Sequence, residues 1–195
     1  MTPARSQETP VRIRRLRRAE AAVCAAMVAS TPLWKRYRYG ERRCARDLRA
    51  ALARGDRILV ATDGGTVVGI AWVMPKGGFG RIPYLKLLAV SADARGRGVG
   101  AALLEASHRA GDLVLLVSDF NRRARRFYAR LGYVRAGAIP DLVLPGVTEL
   151  LLFKRLPPTR AARQAPVTAS NRPRSPARPA GAPPGAAGSR ARSGR

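Results

Sequence analysis

Acidic side chains, lysine, cysteine and histidine are all scarce in this chain of 195 residues. Only 12 Asp and Glu oppose 37 Lys and Arg, giving a formal net charge of +25. Cys24, Cys44 and the single histidine, His108, are too few for a metal cluster, a disulfide framework or a Ser-His-Asp triad. Long apolar runs are missing too: Ala21–Ala29 and Leu113–Val117 fall short of the roughly 18 residues a membrane helix needs. No membrane-spanning segment is expected. Hydrophobic residues still make up 46% of the chain, enough for a core. The length suits one domain with tails, at roughly 100–200 residues per domain.

What is abundant is arginine. Lys35, Lys76, Lys86 and Lys154 are the only lysines, and Ala, Gly and Pro are also frequent. All four favoured residues have GC-rich codons, so much of the charge reflects coding composition rather than a ligand. Arg14–Arg18 followed by Ala21–Ser30 has the outline of a signal peptide, but Glu20 interrupts it and Val11, Ile13 and Leu16 suit the start of a fold. A cytoplasmic protein is expected. From Pro157 to Arg195 the chain has eight prolines, eight arginines and no acid. Such a segment cannot offset its ordering entropy. The sequence therefore predicts disordered termini at 1–10 and 157–195 around an ordered domain at 11–156.

Within that domain, Val11–Leu16 alternates as an edge strand, and Ala19–Ala29 and Tyr39–Arg54 suit helices. Ile58–Thr62 and Val67–Met74 are strands joined by Asp63-Gly64-Gly65, a hairpin signal. Lys76–Pro83 is Gly-rich and reads as a loop, and Tyr84–Val90 as a central strand. A turn at Ser91–Gly98 leads to a helix over 99–110, the strand Leu113–Ser118, and a helix Asn121–Leu131 capped by Asn121. Tyr133–Ala138 and Glu149–Arg155 complete the strands. The pattern predicts an α/β fold, a mixed sheet with helices on both faces.

Chemistry concentrates at Arg95-Gly96-Arg97-Gly98-Val99-Gly100, between a buried strand and a helix. Glycines there allow close backbone approach, and the helix start offers unpaired amides and a positive dipole end. A pyrophosphate suits such a site. By itself the turn is equally well explained as a tight strand-to-helix connection. It is neither a Walker sequence nor a dinucleotide fingerprint, because no Gly-Lys-Ser/Thr comes after it and the glycine spacing differs.

Leu87-Leu88-Ala89-Val90, the Arg95-x-x-Gly98-x-Gly100 turn, and Asn121-x-x-Ala124-x-x-Phe127-Tyr128 followed by Leu131-Gly132-Tyr133 together resemble the GNAT superfamily of N-acetyltransferases. The resemblance covers nearly all of 11–156. It implies a single twisted domain whose central strands splay into a cleft for acetyl-CoA as acyl donor. By position, Leu88, Ala89 and Val90 would offer backbone groups to the pantetheine arm, and Arg95, Gly96, Arg97, Gly98, Val99 and Gly100 would bind the pyrophosphate. Asn121 would hydrogen-bond the pantetheine side, and Tyr128 would lie near the sulfur and protonate the leaving thiolate. Asn121 also suits a plain N-cap, and Tyr128 a packing role. Trp34, Tyr37 and Tyr39 would wall the acceptor pocket or simply pack.

Transfer to a primary amine also needs a base. The glutamate that serves relatives acting on ribosomal-protein N-termini is replaced by Leu116, and Tyr84–Val90 contains no acid. Asp119, Asp141 and Glu149 remain, with Glu149 preferred. With so few carboxylates, a small monoamine, amino-acid derivative or peptide amine is the expected acceptor. The expected partners are acetyl-CoA and that amine, with no membrane or nucleic acid, and the chain a monomer or homodimer. A catalytically silent acetyl-CoA sensor and a basic nucleic-acid-binding protein stay as alternatives.

Overall fold

The computed structural model describes residues 11–108 and 111–156; the termini expected to be disordered lie outside the described residues. Seven strands form one sheet in the order β1-β2-β3-β4-β5-β7-β6. The strands are β1 (Arg12–Arg15), β2 (Arg57–Asp63), β3 (Thr66–Gly78), β4 (Ile82–Val90), β5 (Leu113–Ser118), β6 (Val134–Pro140) and β7 (Thr148–Lys154). The helices are α1 (Ala21–Ser30), α2 (Pro32–Arg36), α3 (Glu41–Ala53), α4 (Val99–His108) and α5 (Arg122–Arg130). All pairings are antiparallel except β4 with β5, so the sheet is mixed as expected.

Two cores flank the sheet. One contains Leu103, Leu104, Tyr128 and Tyr133 from the α4 and α5 side with Leu85, Leu115 and Leu150 from the strands. The other contains Cys24, Val28, Cys44 and Leu48 from α1 and α3 against Ile58, Val60, Ile70 and Trp72. Both cysteines are free and buried. Burial pushes their thiols up, to about 12 for Cys24 and about 11 for Cys44, so they serve as core side chains.

Two departures from the sequence reading bear on the site. A short helix, α2, comes after α1, with Pro32 at its start and Thr31 before it. Its five residues are too few for helical periodicity to show. The expected loop at Lys76–Pro83 is instead mostly strand, since β3 extends to Gly78 and β4 starts at Ile82. Two of its glycines serve close packing, since a Cβ at Gly78 would lie 2.6 Å from Val114 Cγ2 and one at Gly77 2.9 Å from Tyr84 Cβ, while Gly80, at φ +71°, serves the turn between the strands. At positions 77 and 78 glycine therefore marks contact rather than a turn.

The cleft begins where β4 leaves β5. These strands pair only at Tyr84↔Val114 and Leu85↔Leu115. Immediately beyond, Trp72 opposes Leu87 while Val73 opposes Leu85, leaving Lys86 as the extra residue of a bulge. A bulge bends its strand and re-aims the residues beyond it. Leu85 accordingly packs in the α4–α5 core, whereas Leu87 and Ala89 pack against α1 and α3.

Candidate active site

The cleft edge of β4 is set by its alternation. Ser91 donates its N–H to Val68 O on β3. With a period of two, Ala89 also turns its backbone groups toward β3, and Leu88 and Val90 direct theirs to the side β5 has vacated. Of the three residues expected to face the pantetheine arm, Ala89 is thus engaged with β3, while Leu88 and Val90 present their backbone groups at the open edge. On that edge Val90 O accepts from Arg95 Nε at 3.3 Å.

Beyond β4 the turn has the expected backbone. Gly96 and Gly98 sit at φ +83° and +78°, a left-handed region costly for other residues. The first intrahelical bond of α4 runs from Ala102 N to Gly98 O, so Val99, Gly100 and Ala101 present N–H groups with no intrahelical acceptor. Gly100 is needed for closeness, since a Cβ there would lie 3.2 Å from Phe127 Cζ on α5. The two arginines differ. Arg97 Nη1 pairs with Asp63 Oδ2 of the β2–β3 hairpin at 2.9 Å, while the exposed Arg95 makes no ion pair among the described residues. Spacing alone treats the two alike, because hairpin and turn meet only through the fold.

Asn121 takes the cap role and keeps a free donor. Its Oδ1 accepts from Ala124 N at 3.1 Å, while its Nδ2 has no protein partner among the described residues. Farther along α5, Tyr128 is buried against Phe127 and Tyr133, with ring centroids 5.3 and 5.4 Å away. Its hydroxyl hydrogen-bonds no described group, yet is not sealed from solvent. Burial raises its pKa above the ordinary tyrosine value, so it stays a phenol at neutral pH. Tyr84, at the fork, is raised likewise by burial and secondarily by the charge of Glu149.

Glu149 lies at the mouth of the fork, paired across β5 and β7 with Ser118. It is 4% exposed, and no cation pairs with it among the described residues. The Tyr37 hydroxyl donates to Glu149 Oε1 and also contacts Ser118 Oγ. Tyr37 has one proton, so Ser118 donates to Tyr37 and Tyr37 to Glu149, a chain ending on the carboxylate. Burial first, then the bond to Glu149, pushes the Tyr37 phenol up to about 12. Asp119 Oδ1 accepts from Phe120 N and Asp141 Oδ1 from Gly146 N, both at 2.6 Å, so the other acid candidates are occupied as local caps.

The aromatic wall forms from α2 and the segment after it. Tyr37 lies 6.1 Å from Trp34 and 6.4 Å from Phe120, and the Arg36 guanidinium stacks 3.8 Å over Phe120. Tyr39 turns away, donating to Asp47 Oδ2 on α3 at 3.1 Å. Sequence reasoning missed Ser118 and Tyr84. The signal for Ser118 was a lone hydroxyl ending an apolar strand. His108, by contrast, is structural: Tyr133 Oη meets its Nε2 at 2.9 Å, and its Nδ1 lies 3.3 Å from Gly111 O.

Residues 54–135, which include the fork, the turn and α5, match the family model of the acetyltransferase (GNAT) domain. Over that stretch the chain is similar to the GNAT acetyltransferase domain. Over 78 residues it is 38% identical to blasticidin-S acetyltransferase of Streptomyces morookaense, covering 37% of this chain and 57% of that protein. The chain thus matches little more than half the length of that relative. Solved GNAT structures share the fold. A GNAT-family protein of Desulfovibrio desulfuricans superposes with a TM-score of 0.65 at 20% identity, over 75% of this chain and 99% of that one. The yncA protein of Salmonella typhimurium, solved with its cofactor acetyl-CoA, gives 0.59 at 18% identity, over 76% and 95%. The splayed sheet, the glycine turn and the α5 tyrosine stand in the order the sequence resemblance implied.

Proposed function

We propose that the protein transfers an acetyl group from acetyl-CoA to a primary amine by direct attack within a ternary complex. The observation that carries this reading is that Tyr84 at the fork lies within electrostatic reach of two groups, the Tyr128 phenol, which has no hydrogen-bond partner among the described residues, and the Glu149 carboxylate, which has no cation among them. The free N–H groups of Val99, Gly100 and Ala101, the left-handed glycines and the unpaired edge of β4 fit an extended, pyrophosphate-bearing substrate. Acetyl-CoA supplies the activated thioester.

Arg95 and the turn amides hold the pyrophosphate, with Arg97 fixing the turn against Asp63. Leu88, Val90 and Asn121 Nδ2 align the pantetheine amides, and one β4 N–H polarises the thioester carbonyl. Glu149, directly or through a water, takes a proton from the acceptor ammonium, leaving a lone pair for attack on the carbonyl carbon. As the carbon–sulfur bond breaks, Tyr128 gives its proton to the sulfur and the attacking nitrogen sheds its second proton to solvent, so that the N-acetyl amide and free thiol leave. Solvent returns the proton from Glu149 to Tyr128.

A single carboxylate, flanked by Tyr37, Phe120 and Arg36, supports an acceptor with one amine, such as a small molecule or a peptide end, over a polyamine. The similarity to blasticidin-S acetyltransferase places blasticidin S among the amines to assay. The test is thermal stabilisation by acetyl-CoA followed by thiol release with a panel of amines. Stabilisation by the donor with no thiol released for any amine would overturn transfer and favour a sensor.

A further inference from the structure

The far side of α5 holds a second cavity, of about 460 Å³, that the acetyl-transfer reading does not use. Phe127 fixes the orientation of the helix, since its ring meets Gly100 of the phosphate turn. At 100° per residue, Arg122, Arg125 and Ala129 then project to the side opposite Phe127, toward β6 and β7. There they meet Arg135 of β6, and Arg126 completes the rim. Four guanidinium groups surround this space, and among the described residues no Asp or Glu lines it. Among the described residues Arg125 donates to Asp119 O at 2.9 Å, and none of the four makes an ion pair.

Such a cluster is unfavourable when empty, because like charges repel without a carboxylate between them. Arginine forks match phosphate oxygens in bidentate geometry, so a ligand with several phosphates relieves the repulsion and fills the donors. The floor is different in character. Leu150, Leu152 and the ring of Tyr133 form it, and the bond from the Tyr133 hydroxyl to His108 at 2.9 Å holds that ring in place. An apolar, partly aromatic floor beneath a cationic rim suits a ligand with a flat organic part and a polyphosphate. The volume falls within the roughly 300–1,000 Å³ of small-molecule sites.

We propose that the cavity between α5 and the β6–β7 edge binds a nucleotide-sized organic polyphosphate, independently of the glycine turn. ATP is the probe, titrated calorimetrically into the full chain at physiological ionic strength, with and without saturating coenzyme A. One ATP site is expected to persist with coenzyme A present. Arg126→Ala/Arg135→Ala should weaken it about tenfold or more, as loss of two charge-assisted contacts requires. Arg42→Ala/Arg49→Ala, which removes the same charge from α3, should change it by less than about twofold.

Equal weakening in both double variants would overturn the proposal in favour of diffuse charge. Displacement of ATP by coenzyme A would assign ATP to the glycine turn and overturn it too, as would no heat at millimolar ATP. Binding of a short DNA duplex through Arg126 and Arg135, with none of ATP, would replace the small ligand by a nucleic-acid backbone. Thermal unfolding of each variant separates these outcomes from loss of fold.

Discussion

The phenol of Tyr37 donates a hydrogen bond to Oε1 of Glu149, although 112 residues separate the two in the chain. This contact ties the segment after α2 to the start of β7. It gives a buried carboxylate a neutral partner where a cation would pin its charge. The carboxylate is thus held by a hydrogen bond rather than by an ion pair, so no described arginine or lysine competes with an incoming ammonium for it.

Glu149→Gln should therefore lower turnover by about a hundredfold or more at neutral pH, within the usual range for loss of a general base. Activity should recover as pH rises and free amine replaces ammonium. Thiol release measured across pH checks it, and a profile parallel to wild type would remove Glu149 as the base.

Tyr37→Phe removes the donor but preserves the ring against Trp34 and Phe120. Loss of one bond to a buried carboxylate should cost about 1–3 kcal/mol of stability. The pH dependence has a definite sign. The phenol titrates near 12 when folded against 10 in an unfolded chain, so its contribution is complete below pH 10 and is lost as pH rises through 12. Melting temperature between those limits should fall less steeply in the variant than in wild type.

Tyr128→Phe should reduce kcat about tenfold to a thousandfold with little change in KM for acetyl-CoA, because the lost proton is needed only as the thiolate departs. Steady-state kinetics at several acetyl-CoA concentrations distinguish this from a packing defect, which would alter both constants.

Arg95→Ala and Arg97→Ala should separate. Arg95 has no ion pair among the described residues, and its loss should weaken acetyl-CoA binding about tenfold. Arg97 is engaged by Asp63 at 2.9 Å, so its removal should act through the turn and weaken binding only a few-fold. Calorimetric titration of both variants reads the difference, and equal losses would place both guanidinium groups on the phosphates.

Gly78→Ala tests the close approach of β3 to β5. A methyl group would sit 2.6 Å from Val114 Cγ2 and 2.9 Å from Ile82 O. Overpacking of this kind should cost about 1–3 kcal/mol, seen in chemical denaturation as a lower midpoint.

The local features were legible because their causes are local. Glycine at 96 and 98 relieves a left-handed backbone, Asn121 caps α5 with its own side chain, and the apolar runs Leu113–Val117 and Tyr84–Val90 mark buried strands. The Asp63-Gly64-Gly65 turn obeys the same logic. The sequence by itself therefore determined the order of the strands and of the longer helices, the glycine turn before α4 and the helix carrying Tyr128.

Tertiary structure decided the rest through contacts between residues far apart in the chain. The bulge at Lys86 opens the fork, and the direction of Ser91 decides that Leu88 and Val90 face it while Ala89 does not. Asp63 selects between Arg95 and Arg97, which no spacing rule distinguishes. Glu149 gains its environment from Ser118 and Tyr37 on two other elements, and Asp119 and Asp141 are withdrawn into local caps. Sequence supplies the chemical groups, but burial and hydrogen bonding by distant partners fix which of them are free to act.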